Sequence, residues 1–218
     1  MQLTTPPEMT TAVTDFILGC LALGLLARIR ALKGLDRLKA GAWSWVFGLF
    51  CLASLYGSVV HAVAMPAETR DLLWMPLSFI LGMMVSVFVI ALIVEWKGTA
   101  VLKRAAAVMI SLGLIFFAVM MALSKVITGY FIVFIGYSGL AMAVSFCICL
   151  YLALQRHDGA YALMAAGVAA IIIASVVQAM RTFHVTVIWE FDYNSAYHLI
   201  LMAAVVLIYT GIRKSAVP

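Results

Sequence analysis

The sequence predicts an all-α integral membrane bundle of seven transmembrane helices, and two observations support this. Hydrophobic residues make up 66% of the chain and charged residues 11%, whereas ordinary soluble domains contain roughly 45–50% and about 25%. The apolar residues also fall into seven runs, each long enough to cross a hydrocarbon core of about 30 Å. These observations exclude a soluble protein and predict one membrane-embedded domain over residues 1–218.

The bounds of the seven helices follow from where the apolar runs begin and end. The first fifteen residues contain no lysine or arginine, so the first run lacks the basic segment of a secretory signal and is interpreted as a retained helix. Asp15 is expected to cap this helix together with Thr14. In the third run Ser78, Gly82 and Ser86 recur at every fourth position, which is typical of closely packed membrane helices. The predicted helices cover about residues 11–27, 40–65, 71–94, 101–123, 129–154, 160–180 and 196–212.

The positive charges predict the orientation. Seven spans place 11 of the 14 lysines and arginines on one side of the membrane and three on the other. Lysine and arginine accumulate in cytoplasmic loops, so the amino terminus is predicted outside and the carboxyl terminus in the cytoplasm, with the bacterial inner (plasma) membrane as the location. The external set is Arg70, Lys125 and Arg181. The net charge of +5 is explained by this signal and predicts membrane lipid, not nucleic acid, as the partner.

The cysteines do not indicate a metal or disulfide site. All four lie inside apolar runs and none forms a C-x-x-C pair, so they are interpreted as small core residues.

Most of the polar chemistry lies in the connector 181–198, RTFHVTVIWEFDYNSAYH, between the last two predicted helices. The predicted topology places this connector, the end of helix 2 and the start of helix 3 on the same outer side. Three of the four histidines therefore meet there, together with Asp71, Asp192 and Arg181. Ionisable groups near the interface can stay partly hydrated, so this is where the sequence predicts a site.

Two helix faces present an imidazole each. On helix 2, Ser54, Ser58 and His61 share a face, and on helix 7 Asn194 and His198 are four residues apart. Two imidazoles at similar depth could share a divalent metal such as zinc, with Asp71, His184 or Asp192 completing the ligand set. The alternative is that the histidines only join helix ends through hydrogen bonds.

These residues resemble a motif of the CREST superfamily, the seven-helix membrane proteins that include alkaline ceramidases and the progestin and adiponectin receptors. Its members carry S-x-x-x-H at the end of helix 2, an aspartate near the start of helix 3 and H-x-x-x-H at the start of helix 7. Here His61 matches the helix 2 histidine, Asp71 lies near the aspartate position, and His198 matches the second histidine of helix 7.

The chain departs from this motif at two positions. Asn194 replaces the first histidine of helix 7, and Gly57 stands at the serine position, with Ser58 one residue later. The resemblance implies a zinc ion that is held by histidines and used to hydrolyse lipid amides, and it requires a replacement for the missing ligand.

The favoured interpretation is a metal-assisted membrane hydrolase that acts on a lipid or lipid-like amide or ester at the outer face. A metal-bound water is then the nucleophile, Asp71 the general base and Ser58 a further catalytic group. Arg181 and Asn194 are expected to bind the substrate. Two alternatives stay open: a non-catalytic protein that binds a lipid or a protein partner, and a b-type cytochrome with His61 and His198 as axial ligands. The predicted metal ligands are His61, His198, His184 and Asp192.

Overall fold

The computed structural model describes residues 3–126 and 131–216. Its seven long helices are each long and apolar enough to cross a membrane, which confirms the predicted all-α bundle of seven long apolar helices. A short 3-10 turn, Thr99–Val101, precedes the fourth helix. The elements are α1 (Pro6–Arg30), α2 (Arg37–Ala62), α3 (Ala67–Lys97), α4 (Leu102–Leu123), α5 (Phe131–Arg156), α6 (Gly159–Met180), β1 (His184–Thr186), β2 (Glu190–Asp192) and α7 (Tyr193–Ser215).

The first helix begins earlier than the sequence analysis placed it. Thr5 occupies the position before the first helical residue and a proline opens the first turn, where its missing N–H costs no hydrogen bond. Glu8 lies in that first turn, where its negative charge interacts favourably with the positive end of the helix dipole. The expectation that Asp15 caps α1 was therefore wrong, because Asp15 lies buried in the body of the helix.

The third and seventh helices also start before their predicted first residues. Asp71 lies inside α3, which begins at Ala67. Asp192 caps α7 through a reciprocal capping box with Ser195, in which each side chain satisfies a backbone N–H of the other. The start predicted for helix 5, Gly129, lies outside the described residues.

The helices pack mainly with their neighbours in sequence, and α1 closes the bundle by packing against both α2 and α7. The predicted small-residue face on α3 is confirmed. A Cβ on Gly82 would lie 2.7 Å from the ring of Phe116 on α4, so only glycine permits this approach. The hydroxyl of Ser86 is 2.6 Å from that of Tyr137 on α5.

The bundle has two chemically different ends. One end, here called the hairpin face, holds the start of α1, the end of α2, the start of α3 and the β1–β2 hairpin. The other, called the basic face, holds Lys39, Lys97, Arg156, Arg213 and Lys214.

Candidate functional site

A cavity of about 370 Å³ is open at the hairpin face, and its walls come from α1, α2, α3, α5, α6 and α7. Ionisable residues from four of these helices and from the turn after α6 line it, together with an apolar part formed by leucine, methionine and phenylalanine side chains. The ionisable lining residues are Glu8, Asp15, His61, Arg70, Asp71, Arg181 and His198.

The first imidazole of the cavity is paired with a carboxylate of α1. Glu8 Oε2 lies 2.6 Å from Nδ1 of His61, and the His61 ring also meets the edge of Trp74 at 5.7 Å between centroids. A carboxylate that accepts a hydrogen bond from Nδ1–H leaves Nε2 as the basic nitrogen of the ring. The early start of α1 creates this pair, because it places Glu8 beside the last turn of α2.

The second imidazole is buried against α1. The Thr14 hydroxyl donates to the backbone carbonyls of Thr10 and Thr11, each at 2.9 Å, so its oxygen can accept from His198 Nδ1, which is 3.1 Å away. Nε2 of His198 then lies 3.7 Å from Asp15 Oδ1. Both of these atoms are acceptors unless one is protonated, so a favourable contact requires a proton on one of them.

The Asp15 carboxylate occupies the space that a serine side chain would need at position 57. A Cβ built on Gly57 would collide with Asp15 Oδ2. A serine at this position therefore requires the Asp15 carboxylate to move away from Gly57.

Two arginines and one aspartate on the cavity wall make no side-chain ion pair among the residues that the structure describes, although the charge of Arg70 acts on Glu8. Arg70 and Asp71 lie at the start of α3, and Arg181 follows α6. Arg181 has a left-handed backbone, with φ of 53°, at a position after a helix where glycine is the usual residue. Such strain at a cavity wall is a reason to expect that the arginine side chain is used.

Five of the eight predicted site residues come together on this cavity: His61, Asp71, Arg181, Asn194 and His198. Asn194 Oδ1 accepts a hydrogen bond of 3.1 Å from Gln178 of α6. The predictions for these five residues share one location, at the hairpin face, as the topology argument expected.

Three other predicted site residues lie elsewhere. The Ser58 hydroxyl donates to the carbonyl of Leu55 at 2.8 Å and is not on the cavity wall. His184 is exposed on β1. Asp192 is buried, caps α7 and accepts a 2.9 Å hydrogen bond from Thr11, so its carboxylate ties α7 to α1.

The residues present do not form a ready zinc site. Within ranges 3–126 and 131–216, no three histidine, cysteine, aspartate or glutamate side chains are grouped so that they could hold a metal ion. His61 is engaged by Glu8, and both ring nitrogens of His198 face protein oxygens. The zinc ligand set, His61, His198, His184 and Asp192, stays a prediction.

An apolar cleft adjoins the cavity between α2, α3, α5, α6 and α7. The two share the side chains of Phe50, Met84, Phe134 and Tyr197. The cleft itself is lined mainly by valine, isoleucine, phenylalanine and methionine. The combined space is therefore lined by ionisable residues at one end and by apolar residues at the other.

Sequence reasoning missed Glu8 as part of the site and misread Asp15. The sequence contained a signal for Asp15, because placing an acidic side chain within an apolar membrane span costs free energy, and such residues are usually functional. Glu8 precedes the apolar run, so only the early helix start brings it to His61.

A buried carboxylate at the basic face was also missed. Glu95 of α3 is 2% exposed and lies 2.7 Å from Lys39 Nζ. It accepts hydrogen bonds from Trp43 Nε1 at 3.1 Å and from the Tyr161 hydroxyl at 3.4 Å. This cluster links α2, α3 and α6 through hydrogen bonds and an ion pair, which indicates a structural role.

The bundle, with its ionisable cavity at one end, is a seven-helix membrane protein. The model of a family of unknown function, DUF6962, matches residues 10–217, and the chain belongs to this family. No curated protein and no solved structure matches the chain.

Proposed function

We propose that this protein is an integral membrane hydrolase that cleaves an ester or amide bond in a lipid-like amphiphile with an anionic head group. The observation that carries the proposal is that two imidazoles, each next to a carboxylate, line one cavity whose other end is apolar. Binding alone does not require such pairs, whereas a base with a fixed tautomer is what acyl hydrolysis needs.

The shape and charge of the space support an amphiphile as the substrate. The apolar cleft between α2, α5 and α7, with a volume of about 60 Å³, adjoins the cavity and offers an apolar environment to the first part of an acyl chain. A phosphate or carboxylate head group fits the two arginines, because neither Arg70 nor Arg181 has an ion pair within the described part of the chain. Guanidinium groups bind such anions through paired hydrogen bonds. Asn194 offers a further polar group on the wall of the same cavity.

The pair Glu8–His61 supplies the base in this proposal. His61 Nε2 takes a proton from water as the water oxygen attacks the carbonyl carbon. The tetrahedral intermediate then collapses, and His61 returns the proton to the leaving alcohol or amine, so that a carboxylic acid and a neutral leaving group are formed. Glu8 holds the ring and stabilises the imidazolium formed in between. Asp71, the base suggested by the sequence, lies on the same wall and is the second candidate for this role.

A second candidate function is a protein that binds an amphiphile without cleaving it. The arrangement around His198 favours this alternative, since Thr14 and Asp15 engage both of its ring nitrogens. An imidazole held in this way joins α7 to α1 and leaves no nitrogen free for chemistry.

The decisive experiment measures products. Purified protein in lipid nanodiscs is incubated with long-chain esters and amides that carry a phosphate or carboxylate head group, and free fatty acid is quantified by mass spectrometry. Matched substrates with neutral head groups serve as controls. Release of acid that is faster for anionic substrates supports the proposal, and saturable binding without any release supports the second candidate.

The same samples decide whether a metal takes part. Metal content and turnover are measured before and after chelation, and an optical spectrum is recorded. Turnover that is unchanged by a chelator supports the route through His61. Stoichiometric zinc with chelator-sensitive turnover supports the metal-assisted route, and a Soret band supports the cytochrome alternative.

A further inference from the structure

The hairpin that follows α6 has one apolar side and one polar side. Polar and apolar residues alternate along its sequence, and the period of two is that of a β-strand. The only exception is Ile188, at the tip. The apolar set is Phe183, Val185, Val187, Trp189 and Phe191, and the polar set is Thr182, His184, Thr186, Glu190 and Asp192.

The strand pairing puts each set on its own side. Val185 is opposite Phe191 and Thr186 is opposite Glu190, while the N–H of Val187 donates to the Trp189 carbonyl at 3.3 Å. Directly opposed residues of an antiparallel pair project to the same face. The apolar residues therefore form a continuous surface across both strands.

The bundle holds the polar side at one residue, Asp192 at the base of the hairpin, while His184, Thr186 and Glu190 are exposed. Asp192 is buried and accepts a hydrogen bond from Thr11 of α1, so the apolar side is turned away from α1. Most of its side chains are uncovered: Val187 is 76% exposed, Trp189 63% and Val185 42%, whereas Phe191 at the base is partly buried. An uncovered apolar surface of this kind on a monomer marks an interaction site.

The position of the hairpin identifies what covers this surface. The hairpin follows α6 and precedes α7, both of which are membrane spans, so it lies where the membrane meets water. The exposed side chains of Ile173, Val176 and Met180 on α6 form part of the lipid-facing surface that ends where the hairpin begins. A lipid leaflet is therefore the apolar phase that is present at this position.

We propose that the β1–β2 hairpin is an interfacial anchor whose apolar side lies in the leaflet at the hairpin face. Tryptophan and phenylalanine suit this depth, since aromatic rings concentrate at membrane–water interfaces. Amphipathic elements there bury their apolar side about 5–10 Å into the boundary of head groups and acyl chains. The anchor does not depend on the hydrolase proposal, and it places Arg181 at the lipid head-group level beside the cavity.

Trp189 provides the test. The wild type and Trp189→Phe are reconstituted in nanodiscs with lipids brominated near the carbonyl end of the acyl chain, and the difference between their emission spectra isolates Trp189 from the other four tryptophans. We expect bromine to quench this difference signal strongly and aqueous iodide to quench it weakly. Strong quenching by iodide with none by bromine would overturn the proposal.

Paired spin labels give a second measurement with an internal control. Val187→Cys and Thr186→Cys are made in a Cys20→Ala, Cys147→Ala background, because Cys51 and Cys149 are buried. The label on the apolar side should be accessible to oxygen, and the label on the polar side to a water-soluble nickel chelate. Equal exposure of both labels to nickel contradicts the anchor. Protection of position 187 from both reagents, with spin coupling between copies, would instead assign this surface to a second copy of the chain.

Discussion

Glu8 Oε2 and His61 Nδ1 lie 2.6 Å apart, so the first turn of α1 is joined to the last turn of α2 at the wall of the cavity. The amino-terminal segment strengthens this junction, since the N–H of Thr4 donates to the carbonyl of Ala62 at 3.2 Å. Glu8 thus comes from a segment that is held against α2 independently of the histidine.

Glu8→Gln is expected to slow turnover much more than it weakens substrate binding. The amide cannot stabilise an imidazolium at His61, and general-base catalysis typically contributes about 10²–10⁴-fold to the rate. Steady-state kinetics in nanodiscs measure kcat and KM separately. Glu68→Gln is the matched control, because Glu68 is an exposed acid in the first turn of α3. An equal effect of both substitutions would contradict the assignment.

Arg70→Gln and Arg181→Gln are each expected to weaken binding of an anionic amphiphile by about tenfold or more, since a hydrogen bond to a charged group contributes about 1.5–3 kcal/mol. Binding of the neutral analogue should hardly change. Titration with both ligands measures the difference, and Lys125→Gln serves as the exposed control. Equal losses for the two ligands would point to a structural effect.

Gly57→Ser, which restores the serine of the resembling motif, is expected to destabilise the protein. The new Cβ would collide with the Asp15 carboxylate, and overpacking of this kind costs about 1–3 kcal/mol. Asp15→Ala should relieve the clash, so the double variant is expected to be more stable than the sum of the single losses predicts. Thermal unfolding measures this coupling, and strictly additive losses would show that the two positions do not interact.

At the basic face, Lys39→Met is expected to cost more stability than Glu95→Gln. The first change leaves a buried carboxylate without its cation, which costs about 3–5 kcal/mol. The second keeps an oxygen for Trp43 and places an amide N–H where the other carboxylate oxygen met Tyr161, whose hydroxyl oxygen can accept from it. Unfolding of both variants is compared with that of Glu190→Ala, an exposed control that should lie within about 0.5 kcal/mol of the wild type. The reverse order would contradict the role of the Lys39–Glu95 ion pair in stabilising the bundle.

The sequence was sufficient for the fold class because apolar run length reports directly on membrane spans. It also brought His61, Asp71, Arg181, Asn194 and His198 to one end of the bundle, since alternating spans determine which connectors share a side. The structure agrees with both predictions. Orientation relative to the cytoplasm stays a prediction from the charge distribution.

The partners of the two histidines could not be derived in the same way. Glu8 and Asp15 reach His61 and His198 only because α1 begins at Pro6 and packs between α2 and α7. Helix bounds and tertiary contacts of this kind are not contained in hydropathy. The hairpin could have been recognised, because polar and apolar residues alternate with period two over residues 182–192. The connector was interpreted only through its polar residues, as part of a site.

The most direct test of the central claim compares turnover and binding in the wild type and His61→Ala, with anionic and neutral ester substrates in nanodiscs. We expect His61→Ala to lose about 10²–10⁴-fold in turnover, while its affinity for a non-cleavable anionic analogue is nearly unchanged. A folded His61→Ala variant with full turnover would contradict the account. So would a wild type that binds the analogue yet releases no fatty acid from any of the esters or amides.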